Sequence, residues 1–171
     1  NGLFAASKNG SAGFINKKNE TVIPFQYTLT LDFYNDMAEV YLDTLVGFID
    51  IHNNAIIPIR FDYVYELEHD LVVVSENNKY GIWTTQGMEI IKPEYTDYIE
   101  LYNEGIIMVD NEDQFLFDLD GNLLIKKPCT YIEESFINDE WLFFTQNGKS
   151  GIYDLHNHEI LLEAKYDGFE D

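Results

Sequence analysis

The sequence predicts an all-β chain of tandem three-stranded repeats, and three recurring markers carry that prediction. Pro24, Pro58, Pro93 and Pro128 fall 34, 35 and 35 residues apart, each behind an apolar run such as Val22-Ile23 or Ile56-Ile57. Upstream of the first three prolines lies a second motif, Gly13-Phe14-Ile15, Gly47-Phe48-Ile49 and Gly81-Ile82-Trp83, and Gly151-Ile152-Tyr153 likewise precedes a fifth apolar run that has no proline. In the fourth copy Phe115 stands where the glycine belongs. Downstream, an aromatic recurs at Tyr27, Phe61, Tyr95, Tyr131 and Tyr166. In the first four copies an acid follows it nine residues later, at Asp36, Asp70, Glu104 and Glu140. Markers at 13–36, 47–70, 81–104, 115–140 and 151–171 make residues 1–171 one repeat domain of five units.

Each unit reads as strand, turn, strand, turn, strand. The first strand is an apolar run: Leu3 to Ala6, Met37 to Leu42, Leu71 to Ser75, Ile106 to Val109 and Leu142 to Thr145. Asn77-Asn78 and Asn147-Gly148 then supply residues that accept the positive φ of a tight hairpin. The glycine motif forms the second strand. Turns such as Gln86-Gly87 and Asp120-Gly121 lead into the third, exemplified by Thr21 to Ile23 and Glu89 to Ile91. Proline is expected to end that strand, because it lacks the N–H that a ladder needs. The stretch between aromatic and acid, with its Leu, Ile and Tyr residues, is expected to pack as a short helical turn. No window sustains an apolar period of 3.6, so long helices are not expected.

These residues resemble the WG (KWG) repeat family of bacterial proteins. Its unit runs roughly G-L-A-x-V, turn, K-W-G-F/Y-I-D, turn, V-I-P-x-x-Y-D. Gly2-Leu3-Phe4-Ala5, Gly47-Phe48-Ile49-Asp50, Lys79-Tyr80-Gly81-Ile82, Val22-Ile23-Pro24 and Lys165-Tyr166-Asp167 match parts of it. The tryptophan before the glycine is replaced in every copy, by Ala12, Val46, Tyr80, Gln114 and Ser150. The resemblance implies a β repeat module used for binding, with no catalytic residues to carry over. A unit near 34 residues is short for a four-stranded propeller blade of about 40, which favours an open or curved array; a closed five-unit propeller-like ring is the alternative.

Composition narrows the function. With 31 Asp plus Glu against 10 Lys plus Arg, the 171-residue chain carries a formal charge of −21. Nucleic acid is therefore not an expected partner, because phosphate binding needs clustered cations. At 46% hydrophobic and 15% aromatic the chain is no disordered acidic tail. Its apolar runs fall far short of the roughly 20 residues of a membrane-spanning helix. Cys129 is the single cysteine, so no intrachain disulfide can form. The chain begins Asn1-Gly2-Leu3 rather than with Met, and is read as a fragment or a processed form. A cytoplasmic location is favoured, with the envelope or secretion open if a signal peptide was removed.

No constellation of catalytic residues stands out, and no cofactor or metal site is expected. Asp118-x-Asp120-Gly121-Asn122 begins like a calcium loop, but the twelfth position is Cys129 and the segment aligns with an ordinary turn. His156-x-His158 lacks a third ligand and also falls in a turn. Cys129 has no neighbour that would activate a thiolate, and the serines occupy no nucleophile elbow. An enzyme is not expected.

What remains is binding. Acids outnumber bases nine to one between Leu31 and Ser75, and nine to none between Glu94 and Asp120. Equivalent positions of a repeat array stack into stripes, so Asp36, Asp62, Glu66, Glu68, Asp70, Asp97, Glu100 and Glu104 are expected to line a partner-binding face with Tyr65 and Tyr98. Trp83, Trp141, Tyr34, Tyr63 and Tyr102 are further aromatics able to reach the surface. The expected function is a non-enzymatic protein-binding module, in its sharpest form an immunity or inhibitor protein blocking a basic toxin. A glycan- or peptide-binding envelope repeat and a spacer within a longer repeat protein are the alternatives.

Overall fold

The computed structural model describes residues 2–67, 69–100 and 105–169. They contain eighteen strands and no helix. The chain divides into two compact units, Asn1–Pro93 and Glu94–Asp171.

The first unit holds three antiparallel sheets. One is made of β1 (Leu3–Lys8), β2 (Ser11–Asn16) and β3 (Thr21–Tyr27), in that order. The next has β4 (Leu29–Thr30), β5 (Met37–Leu42), β6 (Leu45–Asp50) and β7 (Ala55–Phe61). The third runs β8 (Tyr63–Glu66), β9 (Leu71–Glu76), β10 (Lys79–Thr84) and β11 (Glu89–Tyr95). The second unit has β12 (Asp97–Glu100), β13 (Gly105–Asp110) and β14 (Asp113–Asp118) in one sheet. Its other sheet has β15 (Tyr131–Glu134), β16 (Trp141–Gln146), β17 (Lys149–Asp154) and β18 (Glu159–Tyr166). The fold is thus all-β and built of tandem repeats, as the sequence predicts, with no sheet closed into a barrel.

The connector differs from its expectation. It forms no helical turn; it contributes a short strand (β4, β8, β12 or β15) that pairs with the first strand of the following unit. Only two to four residues long, these strands carry too little alternation to be read from sequence.

Hairpin geometry follows from turn chemistry. The two-residue loops after β1, β5, β9, β13 and β16 each begin with Asn or Asp at positive φ: Asn9, Asp43, Asn77, Asn111 and Asn147. Short polar side chains tolerate that backbone best after glycine. The second turn of each repeat is tied by the residue that ends the glycine strand. The Asp50 carboxylate accepts the backbone N–H of His52 at 2.8 Å and of Asn54 at 2.7 Å. Asn16 and Asp118 do the same in their copies. The Asp118 segment is thus a turn.

The recurring proline does not end its strand. Pro24 and Pro58 lie inside β3 and β7, in a bulge where the pairing register shifts. Ala12 pairs with Tyr27 and Phe14 with Ile23, so Gly13 alone faces the three residues Pro24, Phe25 and Gln26. Val46 with Phe61 and Phe48 with Ile57 repeat the arrangement around Gly47. A bulge leaves residues out of the ladder, so a missing N–H there is tolerated. The glycine is required by proximity: a Cβ on Gly47 would stand 2.5 Å from the Ile57 carbonyl oxygen and 2.7 Å from that of Pro58.

Hydrophobic cores lie between successive sheets. Phe14, Ile23 and Tyr27 meet Ala38, Val40 and Ile49; Phe48, Ile57 and Phe61 meet Val64, Val72, Val74 and Trp83. In the second unit Ile107, Leu116 and Ile125 meet Ile132, Leu142 and Phe144. Within each unit, successive sheets therefore bury apolar faces against one another, as in other nearest-neighbour arrays. Trp83, only 8% exposed, belongs to this core and not to the surface.

Replacing Gly47 with alanine forces the new methyl onto two backbone carbonyls that cannot move independently. Urea unfolding of Gly47→Ala is expected to show a loss of about 2 kcal/mol or more, in the range of overpacked cores.

Candidate interaction face

The connector strands β4, β8 and β15 each bury one side chain and expose neighbours. Thr30, Val64 and Ile132 point inward, whereas Leu29, Leu31, Tyr63, Tyr65 and Tyr131 are exposed. Since each connector strand is the edge of its sheet, these outward side chains sit at a sheet margin. In the first unit Tyr63 and Tyr65 stack with ring planes 6° apart.

Beside Tyr65 lies a groove of about 180 Å³ lined by Leu31, Asp32, Tyr34, Met37, Glu39, Phe48 and Val64. Tyr34 is 69% exposed and Tyr65 53%. Both carboxylates are anchored: Asp32 Oδ1 accepts the Ala5 N–H at 3.3 Å, and Glu39 accepts the Tyr41 hydroxyl. That bond and the adjacent negative charge push the Tyr41 phenol up to about 12, with partial burial adding to the shift. The result is a pair of oriented carboxylates beside exposed aromatic rings.

A second cleft, of about 360 Å³, is lined by Asp36, Asp50, Asp70, Ile56, Thr85 and Gln86. It brings Asp36 and Asp70 together. Their recurrence has a backbone cause, since Asn35 and Asp36, and His69 and Asp70, all adopt positive φ in the turn before the next strand.

Two of the remaining acids named from sequence are held by local hydrogen bonds. Asp62 is exposed, yet its Oδ2 accepts the Asn77 N–H at 2.7 Å and so caps the β9–β10 hairpin. Thr28 and Thr96 cap the equivalent turns, accepting the N–H of Asp43 at 2.8 Å and of Asn111 at 3.0 Å. Asp97 is exposed and its Oδ1 accepts the Tyr98 N–H at 2.9 Å, while the Tyr98 ring is half-buried. Glu66 and Glu100 end β8 and β12. Glu68, Glu104 and Tyr102 lie outside the described residues. Asp32, Tyr34 and Glu39 join Tyr65 in the groove; of these, sequence reasoning singled out only Tyr34 and Tyr65. Leu29 with Leu31, and Tyr63 with Tyr65, each two residues apart, were the signal for an edge strand with an apolar outer face.

The other candidates have structural explanations. Cys129 is buried, and burial pushes its thiol up to about 11 despite a hydrogen bond from Gln146, which leaves it protonated near neutrality. It, and not Tyr131, fills the aromatic's place in the fourth copy, since Gln114 pairs with Cys129 as Ala12 does with Tyr27. His156 and His158 are exposed in the β17–β18 turn. Among the described residues no group of three or more His, Cys, Asp or Glu side chains could hold a metal ion.

The family model described as "WG containing repeat" matches residues 13–43, 47–80 and 84–114. No curated protein matches the chain. Among solved structures, a eukaryotic initiation factor is similar at TM-score 0.43 and 11% identity, over 98% of this chain and 53% of its own. Hsv2p of Kluyveromyces lactis is similar at TM-score 0.41 and 11% identity, over 90% and 58%. The WD40 β-propeller domain of Doa1 follows at 0.37 and 11%, over 94% and 64%. The chain spans less than two-thirds of each of these structures.

Two measurements check the turn assignments. Asp62→Ala should cost about 1 kcal/mol in urea unfolding, the worth of one hydrogen bond, whereas Asp62→Thr keeps the cap and should stay near wild type. Asp50 is held below the ordinary carboxylate range, first by the Asn54 side-chain amide and then by the Asn54 and His52 N–H groups. A carboxyl depressed on folding adds stability above its unfolded pKa and loses it as pH falls through the folded value. Thermal melts from about pH 6 down to about pH 2 should therefore fall less steeply for Asp50→Asn than for wild type.

Proposed function

We propose that this chain, which belongs to the WG-repeat family, is a non-catalytic protein-interaction module that binds a basic partner through the edge-strand face of its first unit. The observation that carries the reading is the groove where Tyr34 and Tyr65 stand exposed beside Asp32 and Glu39. Exposed tyrosines are favoured interface anchors, because a rigid ring contributes large contact area at little entropic cost.

The surrounding charge sets the sign of the partner. Nine acids against one base between Leu31 and Ser75 generate a negative field. Such a field speeds the encounter with a cationic protein and repels an anionic one. An inhibitor or immunity protein directed at a basic toxin is the sharpest form of this reading. An acidic β repeat suits a task that consists of covering another protein's surface.

The test is affinity capture from the source cells, followed by binding kinetics with the purified captured protein. Tyr34→Ala with Tyr65→Ala should weaken binding by about tenfold or more, the scale of interface anchors. Asp32→Lys with Glu39→Lys should slow association and flatten its dependence on salt. A captured partner that is acidic, or that binds all variants as well as wild type, would sink the proposal.

A further inference from the structure

The geometry points to the groove of Leu31, Asp32, Tyr34, Met37, Glu39 and Tyr65 as a socket for one arginine side chain of the partner, its guanidinium held between tyrosine rings and the two carboxylates. This rests on the interaction reading above and specifies what the partner must present.

Size comes first. About 180 Å³ lies below the roughly 300–1,000 Å³ of sites that enclose a small molecule. It has room for one long side chain. Met37 and Leu31 offer apolar surface to a methylene stem, which suits a residue that buries its stem and keeps its head polar.

Chemistry selects among the long side chains. A guanidinium is planar, stacks on aromatic faces and pairs with carboxylates through a rigid fork of donors, whereas an ammonium is a compact, strongly hydrated point charge. The groove offers both features that a guanidinium uses. Asp32 and Glu39 are each oriented by a hydrogen bond within the chain, so less ordering is left to the moment of binding.

The chain contains its own example of this recognition. Arg60 is its only arginine. The guanidinium carbon lies 4.8 Å from the Phe61 ring centroid, and one nitrogen is 3.6 Å from Glu76 Oε2. An aromatic ring and a carboxylate together hold a guanidinium there, and the groove presents the same pairing without a cation from this chain among its lining residues.

The test is an NMR titration of the intact chain with acetyl-Gly-Arg-Gly-amide and its lysine and citrulline analogues. The arginine peptide should shift the Met37 methyl and Leu31 signals saturably at about millimolar concentration. The citrulline peptide, which keeps the shape and lacks the charge, should bind about tenfold more weakly, as expected when a charge-assisted hydrogen bond is lost. Glu39→Gln, which preserves shape, and Tyr65→Ala, at an exposed ring, should each weaken the arginine peptide, with melting temperatures confirming that both variants fold. Equal binding of the three peptides, or shifts confined to other residues, would overturn the arginine socket. If the socket fails while the tyrosine variants still lose the captured protein, the interaction face stands; if those variants capture it unchanged, the face itself falls.

Discussion

The contact between a strand glycine and a bulged backbone shapes the third strand of the repeats that carry it. At Gly13, Gly47 and Gly81 a Cβ would lie 2.5–2.8 Å from backbone atoms of the proline-bearing strand. Hydrogen in that place lets the bulge close onto the glycine strand. The bulge sets the aromatic that follows, Tyr27 or Phe61, against the residue before the glycine. The next residue then reaches the following repeat: the Thr28 N–H donates to Tyr41 O at 2.8 Å and that of Asp62 to Ser75 O at 2.8 Å. A single missing methyl thus lets the bulge seat that aromatic one residue before the chain crosses to the next sheet.

The fourth copy shows what happens without it. Phe115 stands in the glycine's place, and no third strand follows β14. The segment makes only isolated bridges, Phe117 with Leu123 and Gln114 with Cys129. Ile125 still reaches the core and Thr130 still donates to Thr145 O at 2.8 Å. Sheet regularity is lost while the hand-over survives, so the two are separable. The core between sheets and the hand-over hydrogen bond are what this copy keeps.

Most of the fold was legible because the glycine, proline and aromatic markers each meet a backbone requirement that recurs with the repeat. Where proline and the fourth aromatic differ from expectation the cause is shared: a local meaning is assigned to a residue whose role is set by a neighbour. Proline was read as a strand terminator, but the bulge had already withdrawn its position from the ladder. Tyr131 was read as the fourth aromatic by residue type, whereas pairing gives that place to Cys129. The groove was the least legible feature, because Leu31 and Glu39 come beside Tyr65 only once two sheets have packed.

That distinction changes what the net charge means. Asp50, Asp62, Asp118 and Asp154 spend their carboxylates on the N–H groups of turns. A β repeat this dense in tight turns draws on Asx residues for backbone reasons, and part of the −21 charge accumulates as a by-product. Counting acids therefore does not measure how many are free to meet a partner. Asp32 and Glu39 differ in kind, because each is oriented beside an exposed ring instead of closing its own turn. In the recognition we propose, specificity would depend on where two carboxylates are held, while the bulk of the charge would act at longer range on the rate of encounter.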